Sequence, residues 1–293
     1  MNLNNLEQFY GKNYKILMTI PIVITILATI FVIGFYIKTG DIIHKDVSLK
    51  GGITATVYTE NQIDLNEIKN NLNIESDIRK LSDFTTGKQI GFMISVSEIT
   101  SEELKNKLEQ TLNLKLTQEN YSVEETGSKL GESFFKQLII AVILAFILMG
   151  IVVFITFRTF VPSIAVILAA FTDIIVPLAI IDLVGMKISA AGIVAFLLII
   201  GYSIDTDILL TTWSIKRTNG GRLFIRMVHS MKTGLTMTLA ALVVMLIGLI
   251  FSNSVVVKEI FTIILIALVV DVFATYLTNS GILWGYCKKK GIQ

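Results

Sequence analysis

The sequence predicts a polytopic α-helical membrane protein, with six transmembrane helices and, between the first and second, one small α+β domain outside the membrane. Three observations carry this. The 293 residues are 53% hydrophobic and only 16% charged, more apolar than a single soluble core accommodates. Almost uncharged stretches recur at the length of about 20 residues that crosses roughly 30 Å of hydrocarbon. One long polar segment interrupts the series, and it falls after the first stretch.

The expected spans are 16–37, 137–157, 161–184, 188–213, 233–252 and 260–287. The first is longer than a signal-peptide core and lacks an Ala-x-Ala site, so it is expected to stay as an anchor. Pro162 suits the first turn of the third span, whereas Pro177 should free a carbonyl and bend that span. Lysine and arginine concentrate in alternate short loops: Lys12 and Lys15, Arg158, then Lys216 to Lys232, and Lys288 to Lys290. Positive loops face the cytoplasm, so both termini are expected there, and the basic loops need no lipid or partner to explain them.

The expected organisation is therefore an N-terminus and first helix (1–38), an extracytoplasmic domain (39–133), a five-helix bundle (134–287) and a basic tail (288–293). The outer segment holds 16 acidic and 10 basic residues, net −6, and the remainder is net +8.

Within 39–133, "GGITATVYT" from Gly51 reads as a strand, and "DLNEIKNNLN" as a helix capped by Asp64 with Glu67 three residues on. "IRKLSD" is a second strand. "KQIGFMISVSE" alternates Ile90, Phe92, Ile94 and Val96 on one face, a half-buried strand. "TSEELKNKLEQTLN" opens with the capping box Thr100-x-x-Glu103, and "ENYSVEETG" is the last strand. Strand, helix, strand, strand, helix, strand is the order of a ferredoxin-like split βαβ unit, with two helices on one sheet face and the other face free. The "SLKGG" preceding it lacks phosphate-loop spacing, and its paired glycines are expected to allow a tight turn or a close backbone approach.

Four aspartates stand out inside spans: Asp173, Asp205, Asp207 and Asp271. Each costs about 2.5–3.5 kcal/mol at a helix centre, so a bundle interior or wet cavity must compensate, and no intramembrane lysine or arginine is expected to. At 100° per residue Asp205 and Asp207 point about 200° apart. Asp207 lines up with Ser203 and Thr211, and Asp271 with Thr275 and Thr278. Thr233 and Thr236 open the fifth span, so the fourth, fifth and sixth spans are expected to enclose one polar seam. A purely structural role is the competing reading, because interhelical hydrogen bonds average only about 0.6 kcal/mol and need no function. Asp205, turned elsewhere, is expected to serve the cytoplasmic interface.

His44 and His229 fall on opposite sides of the membrane and Cys287 is alone, so neither a metal site nor a disulfide is expected. No cofactor and no nucleic-acid partner is expected.

One span, an outer ferredoxin-like domain, five further spans and "GYSIDTDILLTT" in the fourth together resemble the SecD/SecF family, in the archaeal form of SecF. "LKGG", "PSIAVILAAFTDII" and "VVDVFATYLTNSGIL" extend the resemblance over nearly the whole chain. Two departures stand out: Ser48 replaces a usual acidic residue, and Asp205-Thr206-Asp207 occupies the place of a bacterial Asn-Asp-Thr. Aligned without a gap, Thr206 falls on the bacterial carboxylate, and either aspartate could inherit its role.

The resemblance implies half of a resistance-nodulation-division fold in the cell membrane, with SecD as the other half. It also implies the SecY translocation channel and a translocating polypeptide as partners, and use of a proton or sodium gradient in export. The expected ion-responsive groups are Asp207 and Asp271, with Asp205 and Asp173 as further candidates and Ser203, Thr211, Thr275 and Thr278 as the supporting seam. Three alternatives compete. A heteromeric small-molecule exporter would need the missing half. An intramembrane aspartyl protease is disfavoured because Ile204 and Val270 precede the aspartates. A passive assembly subunit would use no gradient.

Overall fold

The computed structural model describes residues 3–59, 65–72, 76–83, 86–97, 99–217 and 221–292. All six expected spans are helices: α1 (Leu3–Thr39), α5 (Ser128–Phe157), α6 (Phe160–Val184), α7 (Ala190–Ile215), α8 (Leu223–Phe251), and a sixth formed by α9 (Val255–Phe273), a π-helical turn (Ala274–Asn279) and α10 (Ser280–Lys290). The protein is thus a multi-pass membrane protein. Several helices outrun their apolar stretches. The 37 residues of α1 reach about 55 Å, well beyond the hydrocarbon.

The basic segment expected as a loop up to Lys232 is instead helical from Leu223, because apolar residues at Leu223, Phe224 and Met227 pack inward against Trp284 and Leu283. Arg226, in the same turns, is fully buried. Pro162 falls in the first turn of α6, and the helix continues through Pro177.

Between α1 and α5 lie a short helix α2 (Val47–Lys50), β1 (Gly52–Tyr58), α3 (Leu65–Leu72), β2 (Ser76–Ser82), β3 (Gln89–Val96), α4 (Ser101–Leu112) and β4 (Tyr121–Thr126). The sheet order is β2-β3-β1-β4, every neighbouring pair antiparallel, which is the expected split βαβ arrangement. Alternation buries one face: Ile53, Ala55 and Val57 of β1 stand opposite Val96, Ile94 and Phe92 of β3. Ile68 and Leu72 of α3 and Leu104 and Leu108 of α4 close over them. β4 is an edge strand whose central residues, Glu124 and Glu125 among them, are exposed, and charge there discourages a further strand from adding.

The capping box forms as the spacing predicts. Glu103 N–H donates to Thr100 Oγ1 at 3.3 Å, and Thr100 N–H to Glu103 Oε2 at 3.4 Å. The expected Asp64 cap lies outside the described residues. Leu104→Ala, which opens a cavity under the sheet, is expected to cost about 2–5 kcal/mol, and Thr100→Ala about 1 kcal/mol. Thermal unfolding of the detergent-solubilised full chain checks both the magnitudes and their order.

The glycine pair joins this domain to the bundle. Gly51 has φ +86, and a Cβ on it would lie 2.3 Å from Ser128 Cα, at the start of α5. From α5, a Cβ on Gly131 would meet Leu49 O and Gly51 N at 2.9 Å. Only hydrogen at these positions allows the backbones to approach so closely.

In the bundle, α6, α7 and α9 are buried over far more of their length than α5 and α8. Small residues on α6, including Ser163, Ala165, Ala169 and Ala170, are all buried, letting neighbouring backbones come close where no hydrophobic force drives association.

Candidate functional site

Three carboxylates meet where α6, α7 and the sixth span cross. Asp173 on α6, Asp207 on α7 and Asp271 on α9 are each at most 1% exposed. Ser203 Oγ donates to Asp173 Oδ2 in a short contact. Asp207 Oδ1 receives the Asn279 side-chain N–H at 2.7 Å and the Thr275 hydroxyl at 2.9 Å. Thr275 Oγ1 also lies 3.2 Å from Asp271 Oδ1, and Thr206 Oγ1 lies 3.4 Å from both Asp271 oxygens.

The supply of protons in this cluster is short. A hydroxyl carries one proton, so Thr275 serves only one of its two carboxylates at a time. Thr206 has a better acceptor in Ser203 O, at 2.8 Å, so its contact with Asp271 sets oxygen against oxygen. Asp173 Oδ1 and Asp207 Oδ2 are buried without a hydrogen-bond partner among the described residues. No lysine or arginine is in salt-bridge contact with any of the three there. Arg226 is buried, and its guanidinium finds no hydrogen-bond partner among the described residues.

Five expected residues thus form this cluster or are joined to it by hydrogen bonds: Asp173, Asp207, Asp271, Thr275 and Ser203. Others are placed differently. Thr211 and Thr278 are buried, but their hydroxyls reach no partner among the described residues. Thr233 and Thr236 are exposed and bond back to His229 O and Lys232 O of their own helix, so the seam is formed by the third, fourth and sixth spans and not by the fifth. Asp205 faces outward from α7, as the wheel predicts. It stands ten residues before the helix ends at Ile215, about 15 Å along the helix.

The π-helical turn explains why Asn279 rather than Thr278 completes the site. Bonding from i to i+5 takes more residues per turn, so over Ala274–Asn279 the face an α-helix assigns to Thr278 passes to Asn279. Asn279 nonetheless stands four residues after Thr275, a spacing a helical wheel keeps on one face, so it was findable as the next residue of the Asp271 and Thr275 row. Thr206 was legible only as the residue standing at the bacterial carboxylate's position. Asp182, near the end of α6, and Glu259, on the second turn of α9, are further buried carboxylates that lie at the opposite, domain-side ends of these helices.

Fold and site together define a class: a multi-pass membrane protein that pairs a small α+β extramembrane domain with a buried intramembrane carboxylate cluster. Residues 104–289 match the family model described as protein export membrane protein SecD/SecF, C-terminal. The chain belongs to the SecD/SecF family. It is 37% identical over 282 residues to the protein-export membrane protein SecF of Methanocaldococcus jannaschii, covering 94% of this chain and 96% of that one. The SecF of Methanothermobacter thermautotrophicus is 34% identical over 287 residues, covering 94% and 93%. Among solved structures, the crystal structure of SecDF from Thermus thermophilus superposes with a TM-score of 0.72 at 18% identity, covering 96% of this chain and 38% of that one. That likeness is one of fold, and this chain spans well under half of the length of the SecDF polypeptide.

Proposed function

We propose that this protein acts with SecD as an auxiliary of polypeptide export across the cell membrane, and that a proton or sodium gradient drives it through the cluster of Asp173, Asp207 and Asp271. The names carried by its relatives support the export role. The gradient rests on one observation: three buried carboxylates share fewer donated protons than they need and have no basic partner among the described residues. Three uncompensated charges in so little space are mutually destabilising, and a proton or a small cation that enters and leaves makes up the deficit. The family is described by its export role and not by an enzymatic one.

In this reading both termini lie in the cytoplasm, where the basic residues concentrate. Residues 39–133 form the extracytoplasmic domain, 134–287 the five-helix bundle with its 1–38 anchor, and 288–293 the tail. SecD covers the outward face of α7, where Val194, Leu198, Gly201 and Asp205 form an exposed stripe; a carboxylate near mid-membrane is too costly to leave against lipid. The SecY channel and the emerging polypeptide are the remaining partners.

Translocation of a secretory precursor into vesicles containing the channel, SecD and this protein tests the reading. Stimulation by the pair should vanish when ionophores collapse the gradient. Stimulation that survives collapse would identify a passive assembly subunit instead.

A further inference from the structure

Glu259 lies outside the carboxylate cluster and is only 4% exposed. From the second turn of α9 its Oε1 accepts the N–H of Ser189 at 2.7 Å. Ser189 is the residue that caps α7, its Oγ accepting from Gly192 N–H at 3.3 Å. Gly192 leaves the space for this contact, since a Cβ there would stand 2.2 Å from Glu259 Oε1 and 2.7 Å from Ile188 Cγ2.

The residue before the cap is tied to the extramembrane domain. Ile188 N–H donates to His44 O at 2.7 Å, and Asp46 N–H donates to Ile188 O at 2.9 Å. Ala190 N–H, the first of α7, donates to Ser48 Oγ at 3.3 Å. Lys187 adds an ion pair with Asp77 of β2 at 3.3 Å. One small region therefore joins the start of α9, the start of α7 and the segment 44–48 that leads through Gly51 into β1.

Helices α7 and α9 consequently meet through polar groups at two levels. Glu259 and Ser189 connect their outer ends. Deeper in the membrane, Thr206 contacts Asp271, whose helix continues into the Thr275 and Asn279 contacts with Asp207. Twelve residues separate Glu259 from Asp271, about 18 Å of stiff helix. An axial shift of α9 against α7 either breaks the outer contact or carries residues 188–189 with it.

We propose that Glu259 is a positioning residue that pins the outer ends of α7 and α9 and passes changes at Asp207 and Asp271, through Ser189 and Ile188, to the extramembrane domain. The proposal rests on the ion-responsive reading of the cluster. By linkage the same strut works in reverse, so a domain held by polypeptide would bias ion occupancy.

Hydrogen exchange at the Asp46 and Ile188 amides tests this in the purified complex with SecD, in acidic against alkaline buffer and with or without sodium chloride. Protection at both amides should change with these conditions in the unaltered protein and not in Asp207→Asn/Asp271→Asn. Because His44, Asp46, Asp182 and Glu259 all face this junction, the sodium comparison at constant pH is the deciding one, and a sodium response persisting in that double variant would count against the proposal. Glu259→Gln, which keeps an acceptor for Ser189, should retain the change, and Glu259→Ala should lose most of it. Ser189→Pro is the second probe where Glu259→Ala fails to fold: φ at Ser189 is −85, which proline accommodates, and the change removes the N–H that Glu259 accepts together with the hydroxyl that caps α7, so Ser189→Ala, which removes the hydroxyl alone, is its control. A full response in a folded Glu259→Ala or Ser189→Pro protein overturns the strut while leaving the ion-responsive cluster intact. No response in the unaltered protein overturns both.

Discussion

Replacing Asp207 and Asp271 together by asparagine is expected to reduce export in the presence of a gradient to the rate seen after its collapse. One charge crossing 100 mV carries about 2.3 kcal/mol, a bias of up to roughly fiftyfold between two states, and the double variant should forfeit most of it. Asparagine keeps the size of the side chain and an acceptor for Asn279 and Thr275, so assembly with SecD should persist. That separates this outcome from simple misfolding. Asp205→Asn is the internal control. Its carboxylate faces away from the cluster, so gradient dependence should be kept while retention of SecD on affinity capture weakens. Precursor translocation into vesicles, with and without ionophore, reads out both variants, and an unchanged gradient response in the double variant would remove the cluster from the mechanism.

Gly51→Val is expected to produce the largest loss of stability, about 3–5 kcal/mol. Two mechanisms add there. The residue sits at φ +86, ψ 154, a conformation essentially reserved for glycine, and its new Cβ would stand 2.3 Å from the backbone of Ser128. Backbone cannot yield as a flexible side-chain end can, so the seat of the domain on α5 must open. Gly40→Ala offers the contrast. Gly40 also has a positive φ, +79, but nothing lies within 4 Å of its Cβ position, so the cost should be about 1 kcal/mol. Thermal unfolding of the solubilised chain, with limited proteolysis between α1 and β1, distinguishes the two. Equal effects would mean that the close approach to Ser128 contributes nothing.

Both variants bear on the same architecture from opposite ends. In the proposed reading Asp207 and Asp271 respond to the ion within the bundle, and Gly51 holds the extramembrane domain against α5. The Glu259 contact lies between them. A protein that converts ion movement into domain movement needs all three: a site whose occupancy changes, stiff helices that carry the change, and a domain seated too tightly to absorb it.

Much of this was legible in the chain itself, and for physical reasons. An apolar stretch long enough to cross hydrocarbon has few alternatives to a transmembrane helix, because unpaired backbone polar groups are excluded there; all six spans appear. In the small domain, alternation at Phe92, Ile94 and Val96 and the Thr100–Glu103 box are local signals. They predict β3 and α4 without reference to anything distant. Aspartates in spans were conspicuous because of their insertion cost, and the wheel correctly turned Asp207 inward and Asp205 outward.

What the tertiary structure alone decided is which polar groups face one another. Thr211, Thr275 and Thr278 look alike on a regular helix, yet only Thr275 bonds to a carboxylate. Asn279, four residues beyond Thr275 in the π-helical turn, bonds to Asp207 where Thr278 does not, and the sequence spacing alone offered both. The fifth span contributes none of its first threonines because its inward face is set by contact with Trp284 and Leu283. Glu259 and Ser189 are 70 residues apart in the chain, and nothing local to either indicates the other. Periodicity determines what a segment is and which face it buries, whereas the pairing of buried polar groups depends on how helices cross, and crossings exist only in the folded bundle.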